Sequence, residues 1–388
     1  MIEHNRQHPD IHQPWERWSE DQTLHLVMVY NNPFRWETRR RLFNQAIRQM
    51  LAMPNLIVYA VELAFDQRPY EVTDPTQADY AQSAPGHRVD IQLRTDSVLW
   101  HKERLINLGV RAFPPGWRYG GYCDADFSFT RWDWALEAIH MLQHHQFVQL
   151  FSSYTDITGH MPTSWEGSRP YRMSSSFAWN YMHQAEFKAS MERRRRDNNN
   201  GGGRGGGDSY APQMAMAMAM GPVFPYGMAP GATGGAWAWR RQAFTTVGGL
   251  LDTCILGSGD WHMAFGLAES TNVAAEMKRC TRPYMNKVLQ WQERAMELKM
   301  HPGKSAIGCI DQHVIHQFHG SKTRRQYGER WKILQQHQFD PDRDITQDWQ
   351  GVWRWTGNKP GLRDDVQRYF VTRVEDDPIL REGERPLV

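Results

Sequence analysis

The sequence of 388 residues predicts an α/β fold built on a mixed, mainly parallel sheet flanked by helices. Its first apolar run, Leu24–Tyr30, ends at Asn31-Asn32-Pro33, which indicates a buried strand followed by a loop. Residues 35–53 then place apolar side chains at helical spacing, and a second apolar run follows over 55–65. A strand, a helix and a strand in this order predict a parallel pair of strands.

The next part of the chain continues to alternate between strand and helix patterns. The predicted elements are a polar loop over 66–88, a strand over 87–93, helices over 100–110 and 132–150, strands over 120–128 and 148–151, and a helix over 362–369. This alternation is typical of the α/β class.

Composition and charge exclude several classes of protein. Lys and Arg number 45 and Asp and Glu 43, so the net charge of +2 gives no global attraction to nucleic acid or anionic membranes. The four cysteines, at 123, 254, 280 and 309, lack CxxC spacing, which argues against a zinc knuckle or a disulfide framework. The N-terminus is polar, and no run of 18 apolar residues occurs. We therefore expect a cytoplasmic protein with reduced thiols and no membrane span.

Shifts in composition predict the domain boundaries. Residues 1–20 form a polar N-terminal segment, 21–330 the main domain, and 331–388 a C-terminal extension rich in Trp and charged residues. Within the main domain, 192–235 combine an arginine run, Asn and Gly tracts and a Met-Ala repeat, with little that could form a core. We expect this low-complexity insertion to be disordered.

Two carboxylates lie at the end of a predicted buried strand. Asp124 and Asp126 are two residues apart, and alternation along a strand points such positions to the same face. Carboxylates this close to an apolar run are costly unless a cation or strong donors compensate them, and Mg²⁺ or Mn²⁺ would do so. The alternative is a turn, where Asp-x-Asp is common.

Two later motifs carry further candidate residues. Gly257-Ser258-Gly259-Asp260 is a glycine-rich turn that delivers an acidic residue into the start of a helix. An Asp before an apolar helix is also a favoured cap, so a structural role is the alternative for Asp260. His313, His316 and His319 recur at every third residue, which predicts that the first two share one helical face.

Taken together, these segments resemble a GT-A (Rossmann-like) glycosyltransferase that uses a nucleotide sugar. They most resemble the branch of galactosyltransferases and polypeptide N-acetylgalactosaminyltransferases, over residues 24–330 with the insertion skipped. The matching segments are, in order, Val29-Tyr30-Asn31-Asn32, Asp124-Ala125-Asp126, Arg240-Arg241-Gln242-Ala243-Phe244 with Gly248-Gly249, Gly257-Ser258-Gly259-Asp260 and His319-Gly320-Ser321. Their order and spacing agree with the family, which no single motif could establish.

The resemblance implies a metal-dependent hexosyltransferase with a nucleotide diphosphate sugar, UDP-linked by expectation, as donor. It assigns Mn²⁺ or Mg²⁺ to Asp124, Asp126 and His319, where the ion would stabilise charge on the leaving diphosphate. His313 and His316 are not expected to bind it. The implied substrate and nucleotide residues are Asn31, Glu62, Asp124, Trp237, Trp261, Lys322, Arg324 and Arg325.

The resemblance also implies that Asp260 is the general base that takes the proton of the acceptor hydroxyl, which requires inversion at the sugar. Relatives carry Glu-Asp where this chain has Gly259-Asp260, so a single carboxylate is available there. For Glu62, the alternative is a carboxylate that is satisfied inside the protein.

Two other functions are open at this point. A GT-A fold that binds a nucleotide sugar or carbohydrate without turnover would fit the lone carboxylate at 260. A nuclease that uses Asp124, Asp126 and His319 would need more acidic residues nearby than the sequence offers. The acceptor is equally open among a glycan, a protein side chain and a modified DNA base, and the sequence predicts no oligomeric state.

Overall fold

The computed structural model describes residues 22–157, 170–185, 189, 230–268, 280–298, 305–320 and 323–376. The predicted N-terminal segment lies outside these residues, and so does the predicted insertion as far as residue 229. The disorder expected of that insertion and the boundaries of the domains stay predictions.

Strands and helices alternate along the described residues. The strands are β1 (Leu24–Asn31), β2 (Leu56–Phe65), β3 (Arg88–Thr95), β4 (Tyr119–Cys123), β5 (Phe127–Phe129), β6 (His145–Gln149), β7 (Ser153–Ile157), β8 (Pro170–Ser175), β9 (Ala236–Arg240), β10 (Ser305–Cys309), β11 (His313–His316), β12 (Ile345–Gln347) and β13 (Trp353–Trp355). The helices are α1 (Glu37–Leu51), α2 (Lys102–Val110), α3 (Trp134–Met141), α4 (Phe177–Met182), α5 (Arg241–Val247), α6 (Gly259–Leu267), α7 (Arg282–Glu297), α8 (Glu329–Gln336), α9 (Pro341–Asp344) and α10 (Pro360–Val371), with a 3₁₀ turn over Thr323–Arg325. None of these described helices combines the length and the apolar character that a membrane crossing requires.

Seven of the described strands form the main sheet, in the order β10-β6-β9-β4-β1-β2-β3. β1 pairs in parallel with β2 on one side and with β4 on the other, while β9 runs antiparallel between β4 and β6. The predicted strand-helix-strand opening and the mixed, mainly parallel α/β sheet are confirmed. The chain passes from β1 to β2 on one side of β1 and later returns as β4 on the other side. The carboxyl end of β1 is therefore a topological switch point, the place where open α/β sheets bind ligands.

The main sheet is buried on both faces. Val27 of β1 joins a core cluster on one face, whereas its neighbours Leu26 and Met28 join the cluster on the other. This division follows from the two-residue period of a strand. Phe43 and Ile47 of α1 are fully buried against the second cluster, and each such side chain contributes about 1.5–3 kcal/mol. The first strand and helix are therefore a rigid support for the loops at their ends.

A smaller sheet carries the histidine motif. Within the described residues its order is β5-β11-β7-β8, with β11 antiparallel to β5 and parallel to β7. The prediction that His313 and His316 share a helical face is wrong, because these residues begin and end a strand. Pairing with a neighbour on each side satisfies the backbone of this segment, and the intervening Val314 and Ile315 are buried.

Two predicted elements differ in extent from the sequence-based expectation. The strand before Asp124 ends at Cys123, and a turn separates it from β5. The helix predicted over 132–150 ends at Met141, because residues 145–149 form β6 between β9 and β10. Tertiary pairing has overridden the helical pattern there.

Residues of the predicted C-terminal extension pack on the same core. Leu362 and Phe370 of α10 are buried in the cluster that contains Val27. Beyond α10, the Asp376 carboxylate accepts hydrogen bonds from the backbone N–H groups of Glu37 and Thr38, at 2.9 and 2.8 Å. The residue at the N-cap of α1 provides no side-chain cap, so this distant carboxylate caps α1 and ties residue 376 to the carboxyl edge of the sheet.

Candidate functional site

The candidate site lies at the carboxyl edge of the main sheet. Residues 124–126 follow β4 directly, and Asn31 ends its parallel neighbour β1. β5 begins immediately after this turn and pairs with β11, which brings His316 beside Asp126. The topology thus assembles residues that are far apart in the sequence.

Asp126, His316 and His319 form a cluster that could hold a metal ion. Asp126 Oδ2 lies 2.8 Å from His319 Nε2 and 3.4 Å from His316 Nε2. The two Nε2 atoms are 3.3 Å apart, and the three residues offer ligand atoms within 4.8 Å of one another. Asp126 Oδ1 is buried and has no hydrogen-bond partner among the described residues. A buried carboxylate oxygen without a partner is costly, and a cation would satisfy it.

A second carboxylate orients His316. Asp156 is its partner across the parallel strands β7 and β11, and Asp156 Oδ1 lies 2.5 Å from His316 Nδ1. The side chain of Asp156 is only 2% exposed. Because Nδ1 is engaged in this contact, Nε2 faces the cluster, as in the carboxylate-histidine-metal arrangement of many metal sites.

The charges in the cluster act strongly on one another. Burial would raise the pKa of Asp126, but the adjacent His319 and His316 hold it well below its usual range. Burial lowers the pKa of His316, yet the Asp126 charge and hydrogen bonds to Asp126 and Asp156 raise it to about 9. Burial and the Arg325 charge lower the pKa of His319 to about 4. An ionised carboxylate is thus flanked by one imidazolium and one neutral imidazole, and a divalent cation would take the place of the proton on His316.

Asp124 is not part of this cluster. Its Oδ2 lies 2.6 Å from Lys102 Nζ, and burial raises the pKa of its carboxyl group to about 6 against the opposing Lys102 charge. Its backbone N–H donates to the Gly235 carbonyl at 2.8 Å. The expectation that Asp124 and Asp126 share one face is wrong, because strand alternation ends at Cys123 and the turn sends the two carboxylates to different partners.

Asp260 lies in the first turn of α6, beside an aromatic cavity. Its Oδ1 accepts a hydrogen bond from the Trp261 backbone N–H at 2.8 Å, so part of the carboxylate serves the helix N-terminus. A Cβ on Gly234 would overlap the other carboxylate oxygen, so the backbone passes close to Asp260 here and a larger residue would require the Asp260 side chain to move. The lining of the cavity includes Asp260, Tyr122, Trp237, Trp239 and Trp291, and its space of about 20 Å³ has room for little more than one water molecule.

Some of the residues predicted to bind the nucleotide lie at the candidate site, and others are engaged by neighbouring residues of the protein. Asn31 ends β1 at the site, and its Oδ1 is buried without a hydrogen-bond partner in the described part of the chain. Trp237 lines the aromatic cavity, whereas the ring of Trp261 packs at a tilt against Phe265, with centroids 4.6 Å apart. Glu62 is 1% exposed, and its carboxylate accepts four hydrogen bonds from residues 71–73. Its position corrects the nucleotide-binding expectation, because these donors occupy both oxygens.

The basic residues after the histidine motif also differ from one another. Arg325 Nη2 lies 2.8 Å from His319 Nε2, so this guanidinium touches the cluster. Arg324 is exposed, and Lys322 lies outside the described residues.

Sequence reasoning missed three residues that contribute to the site. A helical pattern over 313–319 excludes His316 from the site, whereas the strand that this segment forms admits it. Asp156 and Lys102 carry no local signal, since their partners are 160 and 22 residues away. His313, in contrast, bonds to Ser153 and Thr155 at 2.9 and 3.0 Å, away from the cluster.

Comparisons with known proteins add little to this geometry. No protein-family model matches the chain, and no curated protein does. A solved structure from Desulfovibrio desulfuricans G20, provisionally described as a nucleotide-diphospho-sugar transferase, is similar over 35% of this chain, with 15% sequence identity and a TM-score of 0.24. The similarity spans 59% of that protein, which is less than two thirds of its length. At this TM-score it carries no argument about function, which rests on the site alone.

Proposed function

We propose that this protein is a metal-dependent glycosyltransferase of the GT-A type. It would transfer a sugar from a nucleotide diphosphate sugar, with UDP as the expected nucleotide, to an acceptor hydroxyl. The observation that carries the proposal is the cluster of Asp126, His316 and His319 at the carboxyl edge of the sheet, with one buried carboxylate oxygen lacking a partner in the described chain. Asp260, which the glycine-rich turn delivers into the first turn of α6, supports the second half of the reaction.

The ion we propose is Mn²⁺ in preference to Mg²⁺. Two of the three candidate ligands are imidazoles, which suit transition metals, whereas Mg²⁺ prefers oxygen ligands and retains several waters. Asp126, His316 and His319 would hold the ion, and Asp156 would keep His316 in the tautomer that presents Nε2. A bound divalent ion supplies a Lewis acid for the negative charge that develops on the leaving diphosphate.

Residues of the chain itself would perform the remaining steps. Arg325, in contact with His319, places a guanidinium where it could hydrogen-bond the diphosphate. Asp260 would accept the proton of the acceptor hydroxyl as that oxygen attacks the anomeric carbon, and a single displacement inverts the configuration there. The hydrogen bond from the Trp261 N–H would hold the Asp260 carboxylate in place, and its second oxygen, which lies close to the Gly234 backbone, would accept the proton.

A donor screen tests the proposal. The purified protein is incubated with Mn²⁺ and a panel of nucleotide sugars, and released nucleoside diphosphate is measured. We expect slow, Mn²⁺-dependent hydrolysis of one donor, which Asp126→Ala abolishes. His313→Ala is the matched control, because His313 lies on the same strand as His316 but bonds to β7. Donor binding without release would indicate a binding module instead, and failure to bind any donor would reject the proposal.

A further inference from the structure

Two arginines flank the glycine-rich turn that leads to Asp260. A Cβ on Gly257 would lie 3.4 Å from Arg330 Nη1 and 3.6 Å from the Trp100 ring, so the backbone passes close to both side chains. The guanidinium of Arg373 lies over the same Trp100 ring, 5.3 Å from its centroid. Arg330 and Arg373 therefore both lie near Trp100, which borders the turn at Gly257, three residues before the candidate general base.

Aromatic rings hold both guanidinium groups in place. Arg330 lies over the rings of Tyr327 and Trp331, at 5.0 and 5.3 Å from their centroids. Stacking of this kind fixes the plane of a guanidinium but leaves its N–H groups free to donate hydrogen bonds. Arg330 Nε and Arg373 Nε are both buried and have no hydrogen-bond partner among the described residues.

Within the described part of the chain, these two arginines have few carboxylate partners. The carboxylate of Glu103, beside the same turn, accepts a hydrogen bond from the Trp100 indole N–H at 2.9 Å and pairs with neither of these arginines. Arg373 is 7% exposed, and its Nε lies 3.5 Å from the Glu375 carboxylate. That carboxylate is already engaged by Arg39, which contacts its two oxygens at 2.5 and 2.6 Å. Arg330 makes no ion pair within the described part of the chain. Arg330 thus lacks a counter-ion in this part of the chain and Arg373 shares one with Arg39, and an oxyanion is the ligand that the N–H geometry of a guanidinium fits.

We propose that Arg330 and Arg373 form an oxyanion site that binds a phosphate group of the acceptor. The site adjoins the turn that carries Asp260, where the acceptor hydroxyl must lie. Arg373 is one residue removed from the metal cluster, because its partner Glu375 lies 4.0 Å from His319 Nδ1, whereas Arg325 contacts His319 directly. The assignment to the acceptor rests on the proposed function, since it places the donor diphosphate at Asp126. The acceptor would then be a phosphorylated molecule, and the second oxyanion site would select it.

Inorganic phosphate is the probe for this site, titrated into the full-length protein by calorimetry without metal or donor at low ionic strength. We expect Arg330→Gln and Arg373→Gln each to weaken phosphate binding by about tenfold or more, because charge-assisted bidentate bonds are lost. Arg330→Lys should recover part of the affinity, since it retains the charge but not the planar fork. The matched control is Arg368→Gln, in which a 71% exposed arginine of α10 is replaced. Arg330 is the more exposed of the pair, so its variants keep the test decisive if the Arg373 variant does not fold.

Two results would overturn the inference. In the first, phosphate affinity is equal in wild type and Arg330→Gln, and in the second it falls as much in Arg368→Gln as in Arg330→Gln. Either result would show that these guanidinium groups do not form the site. A second titration uses protein saturated with Mn²⁺ and pyrophosphate. Undiminished phosphate binding there supports a separate acceptor site, whereas competition would assign both arginines to the donor diphosphate. Because the first titration needs no donor, loss of phosphate binding in Arg330→Gln would stand even if the donor screen failed.

Discussion

Glu62→Gln tests whether the buried carboxylate of β2 anchors a loop or faces a nucleotide. The wild-type Oε1 accepts from the Glu71 backbone N–H at 2.5 Å. Oε2 accepts from the backbone N–H groups of Val72 and Thr73 at 3.0 and 2.8 Å, and from Thr73 Oγ1 at 2.7 Å. Glutamine keeps the shape of the side chain but has one acceptor oxygen and one donor group.

The geometry sets the expected cost of Glu62→Gln. In the best orientation, the amide oxygen takes the place of Oε2. The three hydrogen bonds to that position are kept, but each is weaker because the acceptor is neutral instead of charged. The amide NH₂ then faces the Glu71 N–H, so two buried donors are left without an acceptor, and each such donor costs about 1–3 kcal/mol. With the weakened bonds included and non-additivity allowed for, we expect a loss of about 2–4 kcal/mol in the free energy of unfolding.

Urea denaturation of wild type, Glu62→Gln and Glu329→Gln measures this loss. Glu329 is the matched control, because its side chain is 50% exposed and pairs with Lys332 on the surface of α8. Its replacement should change the free energy of unfolding by less than about 0.5 kcal/mol. If Glu62→Gln were as stable as wild type but bound nucleotide less tightly, the carboxylate would face the ligand, and the loop-anchor explanation would be refuted.

Four further predictions concern the cluster and the candidate base. His316→Ala should abolish Mn²⁺ binding measured by calorimetry while His313→Ala leaves it unchanged, and equal affinities in the two variants would remove His316 from the site. Asp156→Asn should weaken Mn²⁺ binding by about 10- to 100-fold, the usual effect of removing a carboxylate behind a ligating histidine, and an unchanged affinity would contradict its orienting role. The pKa of His316 rises from 6.5 to about 9 on folding, so its contribution to the stability of the metal-free protein should be complete below pH 6.5 and lost as the pH rises through 9. His316→Ala should flatten that part of a stability-pH profile, and an unaltered profile would disprove the shift. Asp260→Asn should bind donor like wild type but lose about 10²- to 10⁴-fold in kcat, and NMR should show an inverted anomer in the wild-type product, whereas a retained anomer would exclude Asp260 as the base.

Local pattern was sufficient for the supporting part of the fold. The apolar runs and helical spacing at the start of the chain predicted β1, α1 and β2, and all three form within a few residues of the expected bounds. These elements are determined by short-range periodicity and by turn residues at their ends, so they need no knowledge of distant partners. The same holds for the glycine-rich turn that opens α6 with Asp260 in its first turn.

The site was predictable in its residue types but not in its geometry. Spacing and resemblance selected Asp126 and His319, which do lie together, but also Asp124, which pairs with Lys102. The direction of a side chain after a strand end depends on the turn that follows, and a turn of one residue more or less reverses it. The sequence alone does not specify the length of that turn, so it does not specify the direction of these side chains.

The sequence by itself therefore determined the α/β class, the order of the opening strands and the kinds of ligand group that reach the carboxyl edge. Only the tertiary structure decided that His316 belongs to the cluster and that Asp156 orients it. The physical reason is the register of β11 against β7, which sets residues 160 positions apart side by side through backbone pairing of two strands. Contacts of that range depend on how the sheets assemble, and no local preference of either residue specifies them.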